Sequence, residues 1–311
     1  ISMPKTYAES QEINARFWDL MHTPGMEKQA ADLVTDFTRT TLRERCYFDE
    51  IIEPQTVTAD DLDRRLDDDA PAIIVDMEPD SPAAVTVGFG FFPNAVTIRA
   101  KRWPAYFSRI VSPRQMADES RLRTWIMDIR QVLTDNMVRD MLAEKDSRWQ
   151  AASDLLLGDI DTASDYTGQI HYKEISGGIS REAVPDGFKI MQQLANRLVV
   201  TTCLANTTTQ IDFLKWGRDE MGGDLSEQIV KNGFGMTEFM NKRWIFTIKR
   251  NLVPDGAIRH YASKEFLGKN YTFYEPQMYI ERRAFMISFM LYAEYGGGFA
   301  HAYGVTGSDH T

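Results

Sequence analysis

From Ala117 to Gln150 the chain carries neither Gly nor Pro, and its apolar positions fall on a helical stripe. Leu122, Trp125, Ile126, Ile129, Val132, Leu133 and Met137 recur at steps of three and four, which predicts one amphipathic helix. Pro113 breaks the chain just ahead of it. Asp118 and Ser120 are N-cap candidates, and Glu119 suits the positive end of the helix dipole. Such a helix would reach about 50 Å, long against the usual three or four turns. Asp140, Glu144 and Lys145 dilute the stripe after four to five turns, which argues against a long dimeric coiled coil.

The pattern differs on either side. Residues 1–50 read as an extended arm with a short amphipathic helix holding Ala31, Leu33, Val34 and Phe37. Between 71 and 111 the period shortens: 72–77, 84–89 and 95–98 are strand-like runs, and a fourth holds Tyr106, Phe107, Ile110 and Val111. Glu78–Pro82 and Pro93-Asn94 punctuate them as turns, so hairpins are predicted directly before the long helix. After it, Ser153–Leu157 and Gly158 close the helical region, and 169–175 alternates like a strand turned by Gly177-Gly178. Asp186 can cap a second helix with Phe188, Ile190, Met191, Leu194 and Leu198. Asp224 to Glu227 resembles a capping box for a third, ending at Asn232-Gly233. The last part is mainly strand: 244–248, then a turn at Val253–Gly256, then 271–279 and 285–292. Phe285–Tyr292 is apolar almost throughout and belongs in the middle of a sheet. The Gly-rich tail from Gly296 to Thr311 reads as partly loose. The fold class is α+β.

Composition narrows the function classes. With 311 residues, 43% hydrophobic and 26% charged, the chain can bury a substantial core. Its apolar runs are too short or interrupted to span a bilayer, and no secretory signal opens it. Cys46 and Cys203 make no disulfide framework and suit a reducing compartment. The start at Ile1-Ser2-Met3-Pro4 is what either proteolytic maturation or a cloning remnant would leave. A net charge of −10 argues against tight sequence-reading nucleic-acid binding over the whole surface. That charge is segregated. Ten acidic residues, Asp67, Asp68 and Asp69 among them, lie between Glu53 and Asp80 against only Arg64 and Arg65. Seven basic residues, including Arg99, Lys101, Arg102 and Arg109, lie between Arg99 and Arg123 against Asp118 and Glu119. The two stretches read either as solvated surfaces or as complementary patches meeting between copies of the chain.

Catalytic constellations are missing from the sequence. The five histidines lack zinc-helix spacing, and there is no phosphate loop and no serine elbow. Gly88-Phe89-Gly90 and Gly233-Phe234-Gly235 are too short for a dinucleotide fingerprint. Asp67, Asp68 and Asp69 reads as a solvated loop before a cation site, because alternate side chains of an extended segment diverge. Lys101, Arg102 and Trp103, with Tyr106 and Phe107 nearby, look like the interleaved cations and aromatics of nucleic-acid binders, and fit an intersubunit contact equally well. No enzyme, metal or cofactor is implied.

The order of elements then becomes informative: arm, hairpin ribbon, long helix, mixed segment, block of long strands. With Asp154–Gly158 after the helix and Val253–Gly256 leading to Phe266-Leu267-Gly268, it resembles the major capsid proteins of tailed bacteriophages, the lambda-like group whose fold is shared with encapsulins. The resemblance implies an N-terminal arm over 1–50 and an extended-loop region over 51–116, its hairpin about 70–112. It implies a peripheral domain over 117–187 with its spine helix at 117–150, an axial domain over 188–244, and return strands and tail over 245–311. The implied function is self-assembly into hexamers and pentamers of an icosahedral virion shell around double-stranded DNA. Assembly would take place in the host cytoplasm with scaffold, portal and decoration proteins, and with no membrane. Alternatives are an encapsulin-like compartment with enzyme cargo or another phage structural protein. Candidate intersubunit contacts are Arg99, Lys101, Arg102, Trp103, Arg109, Asp67, Asp68 and Asp69.

Overall fold

A computed structural model describes residues 19–20, 46–63, 70–77, 86–90, 92, 95, 101–118, 120, 129–213, 238–249 and 251–311. Among them the helices are α1 (Tyr47–Ile51), α2 (Ile129–Leu157), α3 (Ala183–Gln193), α4 (Thr207–Phe213) and α5 (Lys264–Leu267). The strands are β1 (Pro54–Thr56), β2 (Ala72–Met77), β3 (Lys101–Val111), β4 (Gln115–Asp118), β5 (Tyr172–Ile175), β6 (Thr202–Asn206), β7 (Glu238–Phe239), β8 (Lys242–Thr247), β9 (Ala257–Tyr261), β10 (Gly268–Arg283), β11 (Met286–Phe299) and β12 (Val305–His310).

They form two mixed sheets. In the first, β11 pairs antiparallel with β10 along its length, and its other edge takes β3 and then β4. The apolar run expected at the sheet's centre is there from Met286 to Tyr292, whereas Phe285 lies in the β10–β11 turn, 78% exposed. Between β3 and β4 the ladder is interrupted at Pro113, which has no N–H to give. Ser112 bridges the gap, donating its N–H to Leu291 O at 2.8 Å and accepting Leu291 N–H on its hydroxyl at 2.9 Å. The second sheet runs β5-β12-β9-β6-β8-β7. Strands expected over 245–311 therefore divide between the two sheets. The tail read as partly loose is instead β12, paired with both β5 and β9.

The described part of the long helix runs from Ile129 to Leu157, past the Gln150 at which its stripe ends. Ala117 and Asp118 belong instead to β4, because they pair with Ile287 and Met286. The Asp118 carboxylate accepts Ser120 N–H at 2.8 Å. At the other end α2 continues to Leu157, where Gly158, at φ +68, closes it by donating to Asp154 O. The stripe also does not fade at Lys145. Met141, Leu142, Lys145, Asp146, Trp149, Gln150, Ser153 and Leu157 all lie on the buried face, while Asp140 and Glu144 are exposed. The helix keeps its period and changes its chemistry.

That face packs between the sheets. Phe48 of α1 stacks on Trp149 at 4.4 Å between ring centroids, and Trp149 meets Phe299 edge-on at 5.4 Å. The same core takes in Phe289 and Leu291 from the first sheet and Leu204, Tyr261 and Val305 from the second. The second sheet's opposite face packs on α3 through Val184, Met191, Cys203, Trp244 and Ile258. Covered on both faces, its central strands β6 and β9 are buried at every position. α3 starts at Ala183, before the predicted Asp186 cap; Ser180 Oγ accepts Ala183 N–H at 3.1 Å, and Asp186 instead pairs with Lys189. Of the other predictions, 84–89 is not a strand in its described part: Thr86–Gly88 is irregular and Phe89-Gly90 is a turn. The arm, apart from 19–20 and 46–50, most of 95–98, and the helix after Asp224 lie outside the described residues.

Charges are buried where α1, α2 and the first sheet meet. Asp146 is fully buried and accepts from Lys249 Nζ, Cys46 Sγ at 3.2 Å and Phe48 N–H at 3.4 Å. Burial pushes its carboxyl up, and the Lys249 ammonium opposes this. Lys145, 3% exposed, donates to Asp49 at 2.5 Å and lies 4.3 Å from the Tyr295 ring centroid. Asn270 of β10 donates to Asp49 at 2.8 Å and to Ile52 O at 3.1 Å. Asp146→Ala removes the carboxylate and leaves Lys249, a quarter exposed, with the Leu142 carbonyl in reach. A loss of about 3–5 kcal/mol in urea-unfolding free energy is expected.

The second sheet holds three neutral histidines against β12. His171 Nδ1 contacts Val305 O at 2.9 Å, and Ser308 Oγ sits 3.0 Å from both His260 Nε2 and His310 Nε2. Burial lowers all three, His260 to about 3 with help from His310 and Arg259. Near pH 7 they are uncharged in both states. Below about 6.5 the unfolded chain binds protons that the folded chain refuses, so stability falls with falling pH. For His260 the loss between pH ~6.5 and pH ~5 is about 2 kcal/mol. Urea unfolding at those two pH values should show it, and His260→Gln should remove that share.

Candidate assembly surface

Beyond its pairing with β11, the segment of β3 from Lys101 to Tyr106 pairs with β2, its one strand partner among the described residues. The register runs from Ala72↔Tyr106 to Met77↔Lys101 and makes a two-stranded ribbon. Strand alternation sorts its side chains onto two faces. Ile73, Val75, Trp103, Ala105 and Phe107 join Val57, Leu62, Tyr271 and Phe273 in a small core of their own. Ile74, Asp76, Arg102 and Tyr106 face outward and are exposed.

The seat of this ribbon is made of glycine. A Cβ on Gly296 would stand 2.7 Å from the Phe107 ring, and one on Gly298 would stand 3.2 Å from the Trp103 ring. Both aromatics can lie on β11 because no side chain intervenes. Gly297, at φ +136, holds a conformation that L side chains rarely adopt, and a Cβ there would collide with Lys269 O. In the sequence between the two strands of the ribbon, Phe89 and Phe92 are 107% and 94% exposed. Isolated exposed apolar residues are common on proteins. Two exposed phenylalanines three positions apart are candidate contact residues.

The predicted contact residues fare unevenly. Arg102 pairs with Asp76 directly across the ribbon at 2.8 Å, with both side chains exposed. Arg109 donates through Nε and Nη2 to Glu294 Oε1, at 2.7 and 2.5 Å, and lies 5.9 Å from the Tyr292 ring. Trp103 belongs to the inner face; its Nε1 is buried without a hydrogen-bond partner. Lys101 is placed by backbone pairing with Met77. Arg99, Asp67, Asp68 and Asp69 lie outside the described residues. The structure thus separates Arg102 from Trp103: alternation turns Trp103 and Phe107 inward and leaves Tyr106 exposed on the same face as Arg102. Among the described basic residues of that stretch, Arg102, Arg109 and Arg114 each have an acidic partner within the chain. Sequence reading missed Phe89, Phe92 and the glycine seat. The signals were present in Gly88–Pro93 and in Gly296–Gly298, read as a strand end and a loose tail.

Comparison with solved structures gives consistent neighbours. The capsid of the empty GTA particle matches with a TM-score of 0.58 and 11% identity, over 84% of this chain and 88% of that one. The mature capsid of bacteriophage PhiM1 matches at 0.54 and 8%, over 83% and 85%. The virus-like particle from Pyrococcus furiosus matches at 0.54 and 8%, over 89% and 98%. The chain has the phage capsid protein fold. Its two mixed sheets and few helices match the architecture of those capsid chains, at identities that speak for the fold alone. No protein-family model matches the sequence, and no curated protein does either.

The ribbon's attachment to this fold can be tested. Gly296→Val forces Phe107 off β11. The expected effect is a loss of about 2 kcal/mol from overpacking and faster amide exchange in β2 and β3 than in β10.

Proposed function

We propose that this chain is the major capsid protein of a tailed bacteriophage, forming hexamers and pentamers of an icosahedral shell around double-stranded DNA. One observation carries the reading: on a fold shared with assembled capsids, a glycine-seated ribbon presents Phe89 and Phe92 to solvent. Burial of each on a second molecule would contribute about 1.5–3 kcal/mol. Repeated around a closed shell, modest contacts sum to a particle that does not dissociate.

Within this reading residues 1–50 are the arm, and the ribbon is the extended loop that reaches a neighbour. α2 is the spine of the peripheral domain. The second sheet with α3 surrounds the capsomer axis, so β9 and β12 join the axial domain that was expected over 188–244. The acidic 53–80 and basic 99–123 stretches are partners between copies. Scaffold, portal and decoration proteins belong to the assembly, which occurs in the host cytoplasm and ends in the virion, and the role is structural. The virus-like-particle match favours a second reading, a protein compartment with enzyme cargo. Nucleic acid extracted from purified particles separates the two.

Purified chain is expected to show closed particles by negative-stain electron microscopy, and a stable monomer would overturn the proposal. Phe89→Ser with Phe92→Ser should abolish particles while leaving the thermal midpoint unchanged. Replacing Arg99, Lys101 and Arg102 by Glu should block closure as well. Normal shells from that variant would sink the charge pairing and leave the aromatic contact standing.

A further inference from the structure

Strand β12 lies between β5 and β9, yet it has little apolar surface to bury. Val305 is its one large hydrophobic residue; Thr306, Gly307, Ser308, Asp309 and His310 complete it. Apolar stabilisation scales with area, so side-chain hydrogen bonds supply much of its attachment. His171 holds one end through Val305 O at 2.9 Å. On the face toward α3, where Gly187 and Phe188 pack, a row of side chains holds the other. Cys203 Sγ of β6 lies 3.8 Å from His260 Nδ1 of β9, and Ser308 Oγ lies 3.0 Å from both His260 Nε2 and His310 Nε2.

A hydroxyl has one hydrogen. Both contacts of Ser308 are met only when one ring donates to it and the other accepts from it, which requires opposite tautomers. The surroundings fix the direction. Burial raises the pKa of the Cys203 thiol against the pull of Lys242, so the thiol keeps its hydrogen and gives it to His260 Nδ1. His260 then donates from Nε2, and Ser308 passes its own hydrogen to His310 Nε2. The proton of His310 is left on Nδ1, buried near the Gly178 backbone without a formed hydrogen bond. The row thus ends in an unmet donor. Burial lowers the pKa of this ring, opposed by Asp309 and the Gly178 backbone. On β5, Lys173 lies in register with Ser308, and Glu174 accepts from the Thr311 hydroxyl at 2.8 Å. Arg259 turns to Asp154 on the opposite face, and on α3 Asp186 pairs with Lys189.

We propose that His310 is the trigger of an acid-opened latch: a proton on its Nε2 frees β12 from β5 and β9 while the first sheet stays closed. With that proton both rings donate to Ser308, whose own hydrogen loses its acceptor. The new charge lies beside His260 in a dry site, where it costs free energy. Freed β12 returns the ring to water and to its ordinary pKa of about 6.5. Acid therefore favours the open form, by up to about tenfold per pH unit for one proton. His260 is enclosed completely, whereas His310 sits at the strand's end, 7% exposed, so His310 takes the first proton. None of β1 to β4, β10 and β11 contains a histidine, and the first sheet has no such trigger.

Hydrogen exchange of the full chain, read by mass spectrometry and corrected for the intrinsic effect of pH, tests the latch. Between pH ~7 and pH ~5 the peptides of β12 should exchange about tenfold faster, and those of β10 and β11 should not change. β10 and β11 accelerating in step with β12 would overturn the latch in favour of global unfolding. His310→Gln keeps an acceptor for Ser308 and has nothing to titrate. It should match wild-type protein at pH ~7 and lose the acceleration at pH ~5. Acceleration kept in that variant would overturn His310 as the trigger. Ring-nitrogen NMR shifts of the histidine-labelled wild-type chain test the row without any substitution. His260 should carry its proton on Nε2 and His310 on Nδ1, and any other assignment would overturn the direction of the row.

Discussion

Everything in this molecule is hung on one buried ion network. Asp146 has no exposed surface, yet it gathers Lys249, Cys46 and the backbone of Phe48 around one carboxylate. On the neighbouring residue, Lys145 meets Asp49, and Asn270 ties Asp49 to β10. Three segments distant in sequence are joined through two adjacent residues of α2. Such a network is weak evidence for net stability, because desolvation offsets much of the Coulomb attraction. What it does supply is registration. An apolar stripe tolerates sliding by a turn, whereas a carboxylate that has lost its ammonium in a dry interior does not.

The two sheets use α2 differently as a result. Against the first sheet it packs aromatic rings: Phe48, Trp149 and Phe299 are stacked or edge-on within 6 Å. Against the second it presents Ser153 to the Tyr261 hydroxyl and Asp154 to Arg259, whose guanidinium also lies over Tyr172 at 4.6 Å. The first sheet thereby carries the ribbon on a rigid aromatic base. The second closes around small and polar residues in β12, held by neutral imidazoles. Its integrity depends on protonation in a way the first sheet's does not.

How much of this was legible beforehand varies with the kind of signal. Ile287–Tyr292 announced its central place by an almost unbroken apolar run. The long helix and the strand over 72–77 were legible from period alone, whereas the pairing of that strand with 101–106 was not. β9 and β12 were not, although they are equally buried. Ala257–Tyr261 carries Arg259 and His260 into the interior, and Val305–His310 has one large apolar residue. Their burial is made possible by Asp154, Ser308 and Val305 O, partners that no local window reveals. The same holds for Lys145: as a letter it ends an apolar stripe, and in the fold it continues one. At the assembly surface the charges were conspicuous and partly misleading, since Arg102, Arg109 and Arg114 have partners inside the chain. The exposed phenylalanines and the glycines were overlooked because hydrophobic pattern assigns the former to a core and the latter to slack.

Those glycines have a mechanical meaning. With no side chain at 296 or 298, the rings of Trp103 and Phe107 lie directly on the backbone of β11, and Phe107 also packs against Tyr271 and Phe273 of β10. The ribbon's height above the sheet is thus set by two hydrogen atoms, and any side chain added beneath it would lift it.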